Sequence, residues 1–134
     1  MASASAKKIR PKYLSLPAIL FQIRLPVPGL VSILHRISGA LLVVPFAAWA
    51  LWLLDVSLRS ESGFQMVRDY FQLPLVKLGM LLFIWAYCHH FCAGIRYLLL
   101  DLNIGIELRH ARISSWLVLL ASLALTALIG AKLW

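Results

Sequence analysis

Three long apolar stretches that lack Lys, Arg, Asp and Glu constrain the fold of this chain more than any other feature. They are 18, 18 and 19 residues long and cover residues 37–54, 78–95 and 113–131. At a rise of ~1.5 Å per residue, each approaches the ~30 Å thickness of a bilayer's hydrocarbon core. Lipid offers the backbone no hydrogen-bond partners, so a spanning segment must satisfy its own polar groups. We therefore predict an all-α membrane protein with three transmembrane helices, over about residues 30–58, 75–101 and 114–134.

The first part of the chain, residues 1–29, differs from the three-helix domain predicted over residues 30–134. Four prolines, at positions 11, 17, 26 and 28, exclude a single regular helix in this first part. Its Leu, Ile and Phe side chains favour a place in the membrane interface or against a partner. We expect an irregular or short-helical cytoplasmic segment, with one short helix around residues 18–24.

Composition and charge narrow the class of protein. With 62% hydrophobic and 13% charged residues, the chain is not typical of a water-soluble domain. Its net charge of +8 comes from residues outside the apolar stretches, which favours lipid headgroups over nucleic acid as the partner. The side with the amino terminus and the second loop carries nine Lys and Arg residues, and the other side carries four. The positive-inside rule predicts a cytoplasmic amino terminus and a periplasmic carboxyl terminus in a bacterial inner membrane, or matrix and intermembrane-space termini in a mitochondrion.

Local signals refine the helices. Pro45 lies inside the first predicted span, where it frees a carbonyl group and predicts a kink. Between the first two spans, residues 64–73 predict a short interfacial helix that ends at Pro74. Ser114 and Ser115 are typical helix caps, and they place the start of the third span after a loop at residues 103–112.

Two adjacent histidines, His89 and His90, lie deep inside the second apolar stretch. An ionisable side chain at that depth is costly and marks a functional site by default. Successive helical residues point about 100° apart, so the two imidazoles face different neighbours. One turn after His90, Gly94 either lets a planar haem bound by His90 lie against the backbone or serves only close helix packing. We expect His89 to make an interfacial or partner contact instead.

Arg36 lies near the start of the first apolar stretch. It is six residues, or about 9 Å along a helix, from Leu30. Its guanidinium therefore either extends to the headgroups or faces the interior of the helix bundle. In the interior it would donate hydrogen bonds to an anionic or carbonyl oxygen, and Ser32, one turn away, would be a second donor.

No motif points to an enzyme that acts by itself, and we identify no catalytic residue. The sequence contains no glycine-rich phosphate-binding loop and no pair of carboxylates within a predicted span. Nucleotide hydrolysis and proton relays through acidic side chains therefore have no residues to carry them.

Two clusters of residues carry a resemblance to a known family. The first is the sequence SILHRISG of residues 32–39, and the second is His90-x-x-x-Gly-Ile-Arg-x-x-x-x-Asp101, with Arg10-Pro11 ahead of both. In this order and spacing they resemble the cytochrome b subunit of succinate dehydrogenase, the larger membrane anchor of complex II. The resemblance extends over nearly the whole chain, including its length and its three-helix layout.

The resemblance implies binding sites for haem b and ubiquinone. His90 would be an axial ligand of the haem iron, and Ser32 and Arg36 would bind ubiquinone. His35 and Arg36 would also lie near the haem propionates. Some relatives have a histidine at the position where this chain has Tyr97.

The resemblance also implies an electron-transfer anchor that is not an enzyme alone. Electrons from succinate would pass through a flavoprotein subunit and an iron–sulfur subunit to ubiquinone at the cytoplasmic face. The second axial histidine would come from a second small membrane anchor, because His35 is expected at a different depth from His90 and His110 is expected in a loop. Two alternatives remain: the anchor of a quinol:fumarate reductase, and a haem-free structural or assembly subunit.

Overall fold

The computed structural model describes residues 25–133, and they are helical almost throughout. The elements in chain order are α1 (Val27–Leu41), a π-helical segment (Leu42–Phe46), α2 (Ala47–Arg59), α3 (Glu61–Tyr70), α4 (Pro74–Asp101) and α5 (Leu108–Gly130). No strand occurs in this part of the chain. The helices long and apolar enough to cross a membrane are Val27–Arg59, Pro74–Asp101 and Leu108–Gly130. The prediction of an all-α protein with three spans is confirmed, and the short helix expected around residues 18–24 lies outside the described residues.

Two of the spans begin earlier than the sequence predicted. α1 begins at Val27 rather than near residue 30, and Pro28 lies in its first turn. A proline is tolerated there because the N–H that it lacks would have no partner within the helix. α5 begins at Leu108 rather than at residue 114. Ser114 and Ser115 do not cap it, because their hydroxyls donate to the carbonyl of Ala111 inside the helix, at 3.3 and 2.7 Å.

The first span is continuous through Pro45, which lies in the π-helical segment Leu42–Phe46. Proline has no N–H, and in a regular α-helix its ring would clash with the carbonyl four residues earlier. A π-helical turn is wider, and here the N–H of Ala47 bonds to the carbonyl of Leu42, five residues before it. The proline therefore widens one turn of the span without ending it.

The connection between the first two spans contains the short helix α3, three residues earlier than expected. Its amino end is capped by Ser60, whose Oγ accepts a hydrogen bond from the backbone N–H of Gly63 at 3.0 Å. α3 packs against α2, where Tyr70 lies with its ring centroid 6.4 Å from that of Trp49. It therefore folds back on the end of the first span.

The helix α4 is the centre of the bundle, because it packs against both α1 and α5. The buried residues of α5 recur every three or four positions and are mostly small: Ser115, Val118, Ser122, Thr126 and Gly130. Small side chains let two helix backbones approach closely, and such packing holds helices together where lipid removes the hydrophobic drive. Most large apolar side chains of the spans point outward, including Leu117, Leu120 and Leu128. The described part of the chain therefore has a small-residue interior and an apolar exterior.

Candidate functional site

His90 lies between α4 and α1. Its Nδ1 is 3.1 Å from the backbone carbonyl oxygen of His35 and 3.3 Å from the hydroxyl of Ser38. A protonated Nδ1 donates to the carbonyl, which leaves Nε2 as the nitrogen with a free lone pair. No hydrogen bond from the described residues reaches Nε2. This is the arrangement in which a histidine is oriented by one ring nitrogen and binds a metal through the other.

A glycine of α1 makes room for this imidazole. A Cβ placed on Gly39 would lie 2.8 Å from Cε1 and 3.2 Å from Nδ1 of His90. Real Cβ atoms do not approach other atoms that closely, so any larger residue at position 39 would displace the ring. Gly39 belongs to the sequence cluster of residues 32–39, but that pattern alone does not indicate its contact with His90.

His35 stacks on His90. The two ring centroids are 4.1 Å apart and the ring planes differ by 14°. The expectation that His35 lies at a different depth from His90 is therefore wrong. The face-to-face stack leaves no space between the two imidazoles, so they would not hold one haem from its two sides.

Gly94 lies beside His35 rather than directly against His90. A Cβ at position 94 would be 3.9 Å from Nε2 of His35. The two antiparallel helices therefore interlock, since each places a histidine at a glycine of the other helix. Tyr97 extends this cluster, with its ring centroid 5.1 Å from that of His35. Its hydroxyl is buried and has no partner among residues 25–133.

The predicted quinone ligands lie on α1 at the outer surface of the chain. Arg36 is exposed and Ser32 is half-buried, and the two share a helix face because they are one turn apart. The guanidinium of Arg36 therefore does not face the interior of this chain's own bundle. Any ligand of this guanidinium lies outside the three helices.

His89 points in a different direction from His90 and is completely buried between α4 and α5. Its Nδ1 is 3.4 Å from the hydroxyl of Ser122, and its ring stacks on Trp85 at 5.5 Å. Its Nε2 has no partner in the described part of the chain. Of the two contacts expected of His89, the contact with a partner is wrong, because the side chain is completely buried inside this chain and reaches Ser122.

The position of His110 also differs from the one expected from the sequence. His110 lies in the first turn of α5, not in a loop, and its Nδ1 is 3.4 Å from the carboxylate of Glu107. It is exposed and remote in sequence from the seam between α1 and α4. His110 is therefore no candidate for a ligand shared with His90.

The donor set of the described residues fits one protein ligand of a haem iron better than a metal ion held by several side chains. No three His, Cys, Asp or Glu side chains of residues 25–133 converge on one point. Of the two stacked imidazoles of the seam, that of His90 is oriented by hydrogen bonds through Nδ1 and keeps Nε2 free, and its side chain is half-buried. One such nitrogen supplies one axial position of a haem iron.

Comparisons with known proteins agree on one family. The family described as "Succinate dehydrogenase/Fumarate reductase transmembrane subunit" matches residues 7–129. The succinate dehydrogenase cytochrome b556 subunit of Rickettsia typhi is 35% identical over 100 residues, which is 73% of this chain and 75% of the relative. The subunits of the same name from Rickettsia prowazekii and Paracoccus denitrificans are 33% and 30% identical, over 73% and 78% of this chain and 75% and 80% of the relatives.

The packing at Gly39 generates a first prediction. Gly39→Ala should destabilise the chain by about 1–3 kcal/mol, the usual cost of overpacking, because the new methyl group collides with His90. Gly79→Ala is the matched control, since a Cβ there meets nothing within 4 Å and alanine favours a helix. Thermal unfolding in detergent measures both. Equal midpoints for the two variants would contradict the packing described here.

The contact of His89 with Ser122 generates a second prediction. In a double-mutant cycle of His89→Phe and Ser122→Ala, the coupling free energy should be about 0.6 kcal/mol, the average for hydrogen bonds between membrane helices. Phenylalanine keeps the ring that stacks on Trp85 and removes only the nitrogen atoms. Reversible unfolding in bicelles gives the four stabilities. Zero coupling would mean that the contact with Ser122 does not stabilise this imidazole.

Proposed function

Because the chain belongs to the succinate dehydrogenase/fumarate reductase transmembrane subunit family, we propose that it is the membrane anchor of a succinate dehydrogenase that binds haem b and ubiquinone. In this role it passes electrons from an iron–sulfur subunit to the quinone and is not an enzyme alone. The relatives compared above are cytochrome b556 subunits by name, which supports a haem b.

The single observation that carries the haem assignment is the orientation of His90. Its Nδ1 is held by the carbonyl of His35 at 3.1 Å, so Nε2 would bind the iron as a neutral imidazole. Gly39 and Ser38 hold the ring from the side of α1. Gly94 would give the cofactor room near the backbone of α4. When bound, a haem supplies reversible one-electron transfer close to the quinone.

A second membrane subunit completes this haem site in our proposal. His35 is occupied in the stack with His90 and does not point at the same iron. The cluster lies at the edge of the three-helix bundle, where a neighbouring helix can approach it. We therefore assign the second axial histidine to another small membrane anchor. His35 and Arg36 would pair with the haem propionates, since both lie on α1 within one residue of the seam.

The quinone site in our proposal is formed by Ser32 and Arg36 together with a neighbouring subunit. Both side chains can donate hydrogen bonds, and the guanidinium is always charged. The exposure of Arg36 on this chain supports a ligand that lies between subunits. Donors aimed at a quinone oxygen stabilise the negative charge that develops there on reduction, and this effect is strong where water is excluded.

The orientation and the further partners follow from the charge asymmetry of the chain. Nine of its Lys and Arg residues belong to the side that holds the amino terminus. We place this side in the cytoplasm of a bacterium, with the carboxyl terminus in the periplasm. The seam around His35 and Arg36 then faces the cytoplasmic end of α1, where an iron–sulfur subunit and, beyond it, a flavoprotein subunit would dock.

Two other functions are less well supported. The family also includes fumarate reductase subunits, which run the reaction in reverse, but the relatives compared above are all succinate dehydrogenase subunits by name. A haem-free structural subunit would not need an imidazole whose Nε2 is left free at the edge of the bundle. The haem-free alternative is tested directly by replacing His90.

Our third prediction concerns His90. His90→Leu should abolish or strongly disturb the reduced-minus-oxidised haem spectrum of the purified complex, because the iron loses an axial ligand while the site keeps an apolar side chain. The exposed His110 provides the control, and His110→Leu should leave the spectrum unchanged. An unaltered spectrum in the His90 variant would favour the haem-free alternative.

Our fourth prediction concerns Arg36. Arg36→Leu should slow succinate–quinone activity roughly 10- to 100-fold, which corresponds to losing one charge-assisted hydrogen bond of about 1.5–3 kcal/mol. Succinate oxidation by a soluble dye should continue, because it bypasses the quinone. Arg112→Leu, another exposed arginine expected on the same side, is the control. If both activities fell equally, Arg36 would be needed for assembly and not for the quinone.

A further inference from the structure

A cavity lies on the opposite side of α4 from the seam with α1. It is formed by α4, α5 and the turn that joins them, and its volume is about 360 Å³. Its walls are almost entirely apolar and include Cys92, Leu99 and Leu117. The polar groups that reach it are Arg96, Ser114 and His110. The volume falls within the range of ligand sites, which is roughly 300–1,000 Å³.

Arg96 is the unusual member of this cavity. It is only 6% exposed, yet no carboxylate of residues 25–133 forms an ion pair with it. Its Nε donates to the hydroxyl of Ser114 at 3.0 Å, and its Nη2 donates to the carbonyl of Ala111 at 3.4 Å. These two bonds use two of the five N–H donors of a guanidinium. A buried arginine stays charged, and a buried charge is costly until an anion compensates it.

The other charged groups near the cavity do not provide that anion. Glu107 is exposed and lies 3.4 Å from His110, so its carboxylate is already paired at the mouth of the cavity. The remaining walls are apolar and supply no charge. Arg96, whose guanidinium carbon lies 5.3 Å from the centroid of the Tyr97 ring, therefore leaves in the wall of an apolar cavity a positive charge that no carboxylate of residues 25–133 compensates.

The cavity is polar at one end and apolar at the other. Its polar end faces the turn between α4 and α5, because Arg96 is five residues, or about 7.5 Å, from the end of α4. Ser114 and His110 lie close to the start of α5, at the same level. Cys92 and Leu117 lie deeper in the predicted bilayer. A ligand with an anionic head and an apolar chain matches this gradient.

We infer that this cavity binds the headgroup of an anionic phospholipid. The phosphate lies at Arg96 and Ser114, and the first part of an acyl chain lies against Leu117. Arginine binds phosphate well because its planar N–H groups match two oxygens at once. Basic pockets between transmembrane helices near the cytoplasmic surface are suited to anionic lipids. This inference does not use the assignments of haem or quinone, although the guanidinium of Arg96 also contacts the ring of Tyr97, which lies beside His35.

The test uses the intact complex, purified through a tag on this chain and delipidated in a neutral detergent. Dioleoyl phosphatidylglycerol should bind and raise the melting temperature, and dioleoyl phosphatidylcholine should do so far more weakly. In Arg96→Gln the affinity for phosphatidylglycerol should fall roughly 10- to 100-fold, since a hydrogen bond to a charged group is worth about that factor. Arg112→Gln is the matched control, because this exposed arginine does not line the cavity.

Two further variants keep the inference testable if Arg96→Gln does not assemble. Arg96→Lys keeps the charge but loses the planar fork, so it should bind the lipid with intermediate affinity. Leu117→Trp fills the apolar end and should weaken binding while the guanidinium is unchanged. The haem spectrum and succinate–quinone activity are recorded in parallel, so that a failure of the proposed function is separated from a failure of the lipid site.

Three outcomes would overturn the lipid assignment. The first is equal affinity of Arg96→Gln and the unsubstituted chain for phosphatidylglycerol. The second is equal affinity of the unsubstituted chain for the anionic and the zwitterionic lipid. The third is displacement of the bound lipid by a short-chain ubiquinone at micromolar concentration, which would identify the occupant as a quinone.

Discussion

The rotational setting of α4 between α1 and α5 is the constraint on which the rest of this molecule depends. His89 and His90 are neighbours in sequence and point about 100° apart, so one rotation of the helix decides which of them reaches which partner. His89 is directed at Ser122 of α5, and His90 is directed at Gly39 of α1. At the level of the α4–α5 turn, Arg96 bonds to Ser114 and reinforces the same setting.

This setting separates two kinds of polar side chain within one apolar helix. His89 and Arg96 face α5 and are buried inside the chain. His90 and Tyr97 face α1 and lie at the edge of the bundle. Buried polar groups in lipid need partners, and the first pair finds some of them in Ser122 and Ser114 of α5, while Nε2 of His89 has none among the described residues. In the second pair, Nε2 of His90 has no hydrogen-bond partner among the described residues and belongs to a half-buried side chain, whereas the unpartnered hydroxyl of Tyr97 is buried.

The two glycines that face the histidines explain how α1 and α4 approach so closely. Gly39 leaves space for the ring of His90, and Gly94 lies beside His35. Each helix contributes the same pattern, a histidine followed four residues later by a glycine, and the helices run in opposite directions. The pattern is visible in the sequence as His35-x-x-x-Gly39 and His90-x-x-x-Gly94. The sequence does not reveal, however, that each histidine packs on the glycine of the other helix.

The sequence by itself determined the number of spans, their apolar character and the family. Length and lack of charge are sufficient for the first two, since a segment in lipid has no alternative to a closed helix. It misplaced the start of α5, because serines suited to capping bond just as well to a carbonyl inside the helix. Only the tertiary structure decided which partner each polar side chain meets. The stack of His35 on His90, the exposure of Arg36 and the burial of Arg96 all follow from how three helices rotate against one another, and an apolar sequence constrains that rotation only weakly.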